Sequence, residues 1–205
     1  MIFGGDITDN FTKLSKEKQK AVLSAGYICF GKNGYRKTSM MDIAQQAGIS
    51  KASLFQYFGT KRQMYLYLYQ YAVDLIIKKL PEGTDDLFEC IKKITEAKMR
   101  IVSEYPGMYD FIASSISESD AEIADDLEKM NNENTTMGMD MLFAKVDFGK
   151  FKPGVDIKIV NNLLIWISEG LIRSSVGSIS AENIIKELEI YMELLKKTLY
   201  REEYL

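Results

Sequence analysis

Lys51, Ser53, Gln56, Tyr57 and Lys61 fall within fourteen residues, GISKASLFQYFGTK at 48–61, interleaved with Leu54, Phe55 and Phe58. Turned at about 100° per residue, a helix opened by Ser50 gathers Leu54, Phe55 and Phe58 on one side and Ala52, Ser53, Gln56 and Tyr57 on the other. The polar side has the chemistry to meet a nucleic-acid duplex. The Gln56 carboxamide can pair with a base edge, Ser53 can donate or accept, and Ala52 permits close approach or touches a thymine methyl. Lys51, Tyr57 and Lys61 suit phosphates instead. The N-terminus of this helix adds unpaired N–H groups and a partial positive charge near Ser50 and Lys51. Ser39, at the start of the preceding helix, is placed to hold a second phosphate in the same manner.

Two short helices must position these groups. In TSMMDIAQQAG, Ser39 is an N-cap with Asp42 three residues on, and Gly48 is a left-handed stop. Ser50 then opens the second helix, which runs to about Phe58, and the pair forms a helix-turn-helix. An ordinary helical hairpin with a solvated polar face shares this pattern. Three features favour the nucleic-acid reading: both helices are short, their caps are separated by an Ala-Gly-Ile turn, and positive charge is confined to this end. Residues 1–62 hold ten Lys or Arg against four Asp or Glu, a balance of +6, whereas residues 63–205 hold sixteen against twenty-five, a balance of −9. A basic module on an acidic body points to a polyanion at the front end alone.

Composition excludes several other chemistries. The chain of 205 residues has no histidine, which removes Ser-His-Asp triads, imidazole bases and most catalytic zinc sites together. Neither common nucleotide-binding glycine loop is present, so no cofactor, no metal and no enzymatic activity are expected. Cys29 and Cys90 form no CxxC pair and sit in apolar helical patterns, as reduced buried thiols do. With no signal-like start and no apolar run longer than LLIWI at 163–167, no membrane span is expected and the predicted location is cytoplasmic.

The fold class read from the pattern is all-α. A first helix spans about 15–32, ended near Gly34, and Thr60 with Gln63 caps a longer one running to Leu80. Further helices are predicted at 85–104, 107–117, 120–146, 156–176 and 181–202, with a Ser119–Glu122 box opening the third of these and Ser180 capping the last.

The stretch AVLSAGYICFGKNGYRKTSMMDIAQQAGISKASLFQYFGTKRQMY, about residues 21–65, closely resembles the N-terminal domain of TetR-family transcriptional regulators. The likeness rests on Ala25, Phe30, Gly34, Tyr35, Thr38, Ile43, Ala44, Ala47, Gly48, Ser50, Leu54, Tyr57, Phe58 and Lys61. It implies about nine helices, with a three-helix helix-turn-helix DNA-binding domain at 1–60 and a larger helical effector-binding and dimerisation domain at 61–205. Ser39, Lys51, Ser53, Gln56, Tyr57 and Lys61 match positions where family members contact DNA; Phe55 stands where tyrosine is common, so any hydroxyl contact there is lost.

The helices near 156–176 and 181–202 carry more apolar positions than one core-facing stripe needs, and the resemblance implies that they pair across a homodimer. Candidate pocket residues for a small-molecule effector of unknown identity are Met99, Met108, Met137 and Met141, the aromatics Tyr105, Phe111 and Trp166, and the polar Asn162 and Glu169. Methionine and aromatics fill plain cores equally well. The expected function is a repressor released by that effector from a near-palindromic double-stranded DNA operator. A DNA-binding member without an inducer, an activator or chromosome organiser, is the alternative; an all-α enzyme or adaptor stands further off.

Overall fold

The computed structural model describes the backbone of residues 9–175 and 181–205; the predicted Ser180 cap and the side chain of Glu169 lie outside the described residues. Among those residues there are ten α-helices and no strand beyond one isolated bridge. They are α1 (Asp9–Thr12), α2 (Lys16–Lys37), α3 (Met40–Ala47), α4 (Lys51–Phe58), α5 (Lys61–Lys78), α6 (Leu87–Ser103), α7 (Met108–Ser115), α8 (Ala124–Phe143), α9 (Ile157–Ser175) and α10 (Ala181–Leu199). The all-α reading holds. The count exceeds the nine expected by α1, a single turn in a stretch too polar to signal a helix.

The chain divides into two compact units, residues 1–78 with 101–134, and residues 79–100 with 135–205. This packing division differs from a split at residue 60, and α1 to α4 lie wholly in the first unit.

The first unit is built around α2. Ser15 caps it by accepting from the Lys18 N–H, and its buried stripe runs through Val22, Leu23, Tyr27 and Phe30. The helix breaks at Gly34, where the stop was expected, with a φ of 72°. Inside, aromatic rings interlock: Phe30 and Tyr65 centroids are 4.9 Å apart, Tyr65 and Phe111 also 4.9 Å, and Tyr27 and Phe111 5.2 Å. Each such pair adds about 0.5–1.5 kcal/mol beyond its area burial. The buried Tyr27 hydroxyl is satisfied by donating to the Leu68 carbonyl at 3.0 Å. Burial raises the pKa values of Tyr27 and Tyr65 well above the usual tyrosine range. The segment before α7 can approach α2 only because residue 107 is glycine: a Cβ there would lie 2.6 Å from the Ile28 amide nitrogen.

The turn into α8 departs from expectation. Asp120 closes it, its carboxylate accepting from the Glu122 N–H and its carbonyl from the N–H groups of Ile123 and Ala124, while the Ser119 N–H goes to Glu118. An aspartate, which accepts without needing to orient a proton, takes the place assigned to the Ser119–Glu122 box.

In the second unit, α9 and α10 pack together, and Val160, Leu164 and Leu171 on the first and Ile184, Leu188 and Met192 on the second are buried. A cluster of Phe88, Phe151 and Tyr200 ties the end of α10 to the start of α6: the Phe151 and Tyr200 rings are 4.7 Å apart, and Tyr200 Oη accepts from the Leu87 N–H at 3.0 Å. Flanking ion pairs join Lys196 to Asp86 and Lys150 to Asp85. Burial, with the nearby acids, pushes the Tyr200 phenol up to about 12. Removing its hydroxyl leaves a buried backbone donor unpaired. Tyr200→Phe is therefore expected to cost about 1–3 kcal/mol, read as a lowered urea midpoint in chemical denaturation.

Candidate nucleic-acid interface

The helix-turn-helix begins with a complete capping box. Ser39 Oγ accepts from the Asp42 N–H at 3.2 Å, and Asp42 Oδ2 accepts from the Ser39 N–H at 3.1 Å and from its hydroxyl at 2.7 Å. These bonds from Ser39 hold the Asp42 carboxyl below its ordinary range. They also spend both Ser39 donors inside the protein and set an anion at the start of α3. The geometry thus gives Ser39 to the cap, and a phosphate there would have to displace Asp42.

Met40, Ile43 and Ala44 seat α3 on the core. Gly48 then adopts a left-handed conformation, φ 68° and ψ 31°, and sends its N–H back to the Ala44 and Gln45 carbonyls; the Ile49 N–H reaches Ala44 as well, at 3.0 Å. A side chain at 48 would strain this turn. Ser50 opens α4 as expected, its Oγ accepting from the Ser53 N–H at 3.0 Å and lying 2.8 Å from the Ser53 hydroxyl.

Leu54 and Phe58 are fully buried, whereas Lys51, Ala52 and Gln56 face solvent. Phe55 does not join the buried stripe as predicted: it is 38% exposed, with the Lys51 ammonium 5.7 Å from its ring centroid. The reason is angular. Leu54 and Phe58 are nearly aligned along the helix, and Phe55 is rotated about 100° from Leu54, onto the shoulder of the stripe.

Two assigned contacts also have internal work. Lys61 donates to the Tyr35 carbonyl at 3.2 Å and lies 4.1 Å from the Tyr35 ring centroid, so it braces the end of α2 against the start of α5. Tyr57 is half-buried, its ring 6.1 Å from Phe11 and 6.4 Å from Phe58. Phe11 is the residue sequence reasoning missed. From α1 it is buried against Phe58 at 4.9 Å and Tyr67 at 5.8 Å, behind α4. Its only signal was an aromatic in a polar arm. Arg62 is drawn away from any external anion: it donates to the Glu122 carbonyl and pairs with Asp126.

The candidate pocket residues fall in both units. Met108 and Phe111 are solid core of the first unit, where Tyr105 is half-buried with its hydroxyl 3.1 Å from that of Tyr71. Met99 is buried in the second unit, but Met137, Met141, Asn162 and Trp166 are exposed there.

Comparison with known proteins agrees with this geometry. Residues 22–68 match the model of the bacterial regulatory proteins of the tetR family. Over 91 residues the chain is 31% identical to the HTH-type transcriptional regulator RutR of Escherichia coli, an alignment covering 43% of each chain. It thus spans less than half the length of that relative. The HTH-type transcriptional repressor KstR2 of Mycolicibacterium smegmatis is 25% identical over 174 residues, 82% of this chain and 84% of the relative. The structure of the ketosteroid transcriptional regulator KstR2 of Mycobacterium tuberculosis superposes with a TM-score of 0.65 at 19% identity, covering 93% of this chain and 98% of the other; this likeness is one of fold.

Because Ser50 alone caps α4 at its first turn, Ser50→Ala is expected to lower stability by about 0.5–2 kcal/mol and Ser50→Gly by only a few tenths, measured by thermal unfolding.

Proposed function

We propose that this chain, whose residues 22–68 match the tetR-family model, is a transcriptional repressor which binds a near-palindromic DNA operator as a homodimer and is released by a small-molecule effector. One observation carries the reading. A serine-capped two-turn helix is clamped by Leu54 and Phe58 and turns Lys51, Ala52 and Gln56 outward. Such a rod fits a major groove, with Gln56 directly opposite the buried stripe where base edges would lie. Lys51 and the free N–H groups of the first turn supply sequence-independent attraction to phosphate.

Dimerisation is supported by the outer faces of α9 and α10. Trp166 is 64% exposed, Ile190 66% and Leu194 62%, with Ile159 and Leu163 on the same helices also open to solvent. So much apolar surface on two adjacent helices is costly in water and is removed by a two-fold copy of the same pair. A dimer places two α4 helices against grooves about 34 Å apart, one turn of duplex or a multiple. An effector that favours a different spacing opposes simultaneous docking. To swing the population from 1:99 to 99:1 it must bind the released form about ten-thousandfold better than the docked form.

In titrations against a duplex selected from random sequence, Lys51→Ala is expected to weaken selected and random DNA alike and to reduce the salt slope by about one unit. Gln56→Ala should instead lose about 1–3 kcal/mol on the selected duplex and little on random DNA; equal losses on both would contradict base reading by Gln56. Introducing charge with Leu194→Asp should shift sedimentation from dimer to monomer at micromolar concentration, and duplex affinity should fall with it. A wild-type chain that sediments as a monomer would refute the assembly.

A further inference from the structure

We infer that Phe55 is a specificity-determining residue that reads the 5-methyl group of thymine in the major groove. The inference rests on the DNA-binding reading above and adds to it a contact made by no polar group. Isolated apolar side chains on a surface call for no explanation. Phe55 is different in where it stands: on a two-turn helix whose exposed arc consists of Lys51, Ala52, Phe55 and Gln56, its ring is 38% exposed.

The neighbours of the ring define what can cover it. Lys51, one turn earlier, holds its ammonium 5.7 Å from the ring centroid, which leaves that cation beside the ring and open to an anion. Ala52, three residues back on the same flank, is a methyl group with no bulk to block approach. Gln56 follows with a carboxamide that makes no hydrogen bond within the described residues. A surface complementary to this arc must offer an anion, an apolar group and a hydrogen-bonding edge within the span of two helical turns. The major groove offers all three. Its most prominent apolar element is the thymine methyl, the one methyl group among the base edges there, and phosphates line its walls. A ring in that place is also free of the desolvation penalty that a hydroxyl would bring against a methyl.

The test uses the full chain and duplexes that it selects from a random pool, remade with each thymine replaced in turn by deoxyuridine, which deletes the methyl and leaves the pairing edge intact. Wild-type protein is expected to lose about three- to fivefold in affinity at one or two thymines per half-site, the worth of one buried methyl. Phe55→Ala should bind the thymine duplex more weakly by a similar factor and show no further loss with uracil at those positions. Phe55→Leu should restore part of the discrimination. The ring is 38% exposed and otherwise covered, so Phe55→Ala is expected to lower the unfolding temperature and Phe55→Leu to lower it less; affinities are therefore compared well below both transitions. The inference is overturned if uracil is tolerated at every position by the wild type, or if Phe55→Ala retains the same uracil penalty. Enrichment of no duplex at all would remove the DNA-binding reading itself, a result distinct from either of those.

Discussion

The orientation of α4 depends on the burial of two side chains, Leu54 and Phe58, against a framework that is itself aromatic. A two-turn helix cannot hold its shape alone in water, because nucleation costs more than so few hydrogen bonds return. Tertiary packing must therefore supply what length does not. Phe58 meets Phe11 from in front of the core, and Phe11 reaches Tyr67 on α5, so the helix is gripped by elements before and after it in the chain. The grip leaves one arc of the helix open, carrying Lys51, Ala52, Phe55 and Gln56, and what the helix can recognise follows from those residues.

Capping provides the rest of the definition. Ser39, Gly48, Ser50 and Thr60 fix the ends of α3, α4 and α5 within little more than twenty residues, each by a hydrogen bond to a backbone group the helix cannot satisfy. Capping and binding compete for the same atoms. Ser39 shows the outcome in full, since its hydroxyl and N–H both serve Asp42. Ser50 shows it in part, because its oxygen takes the Ser53 N–H while the side of α4 carrying Lys51 and Ala52 stays open.

Much of this was legible in the sequence, and the reasons differ by element. Helix existence, the break at Gly34, the Gly48 turn and the caps at Ser39, Ser50 and Thr60 were readable because each depends on one or two neighbouring residues. What escaped depends on distance in the chain. Phe11 finds its partners more than forty residues away, and no local pattern announces that. Phe55 was misplaced because a wheel drawn on an isolated helix gives its stripe too wide a reach; the neighbouring elements bury only the narrow ridge of Leu54 and Phe58. The pocket residues suffered from a different ambiguity, since methionine and aromatic side chains are chosen alike for a core, a cavity or a face that waits for a partner.

Charge illustrates the same limit in a form that bears on function. The balance of +6 over residues 1–62 overstates the field available to a polyanion, because packing brings acids from residues 118–126 to the same unit. Asp126 pairs with Arg62, Glu118 accepts from the Tyr35 N–H, and the Lys61 ammonium is turned onto Tyr35. The cations left in the open near the helix-turn-helix are Arg36 and Lys37 in the last turn of α2 and Lys51 at the head of α4. Attraction to phosphate falls off within about 10 Å at moderate salt, so the placement of these few charges outweighs the total. In the duplex complex proposed above, a small set of exposed cations beside an uncharged helix face would leave a larger share of the binding energy to groove contacts, the share that distinguishes one sequence from another.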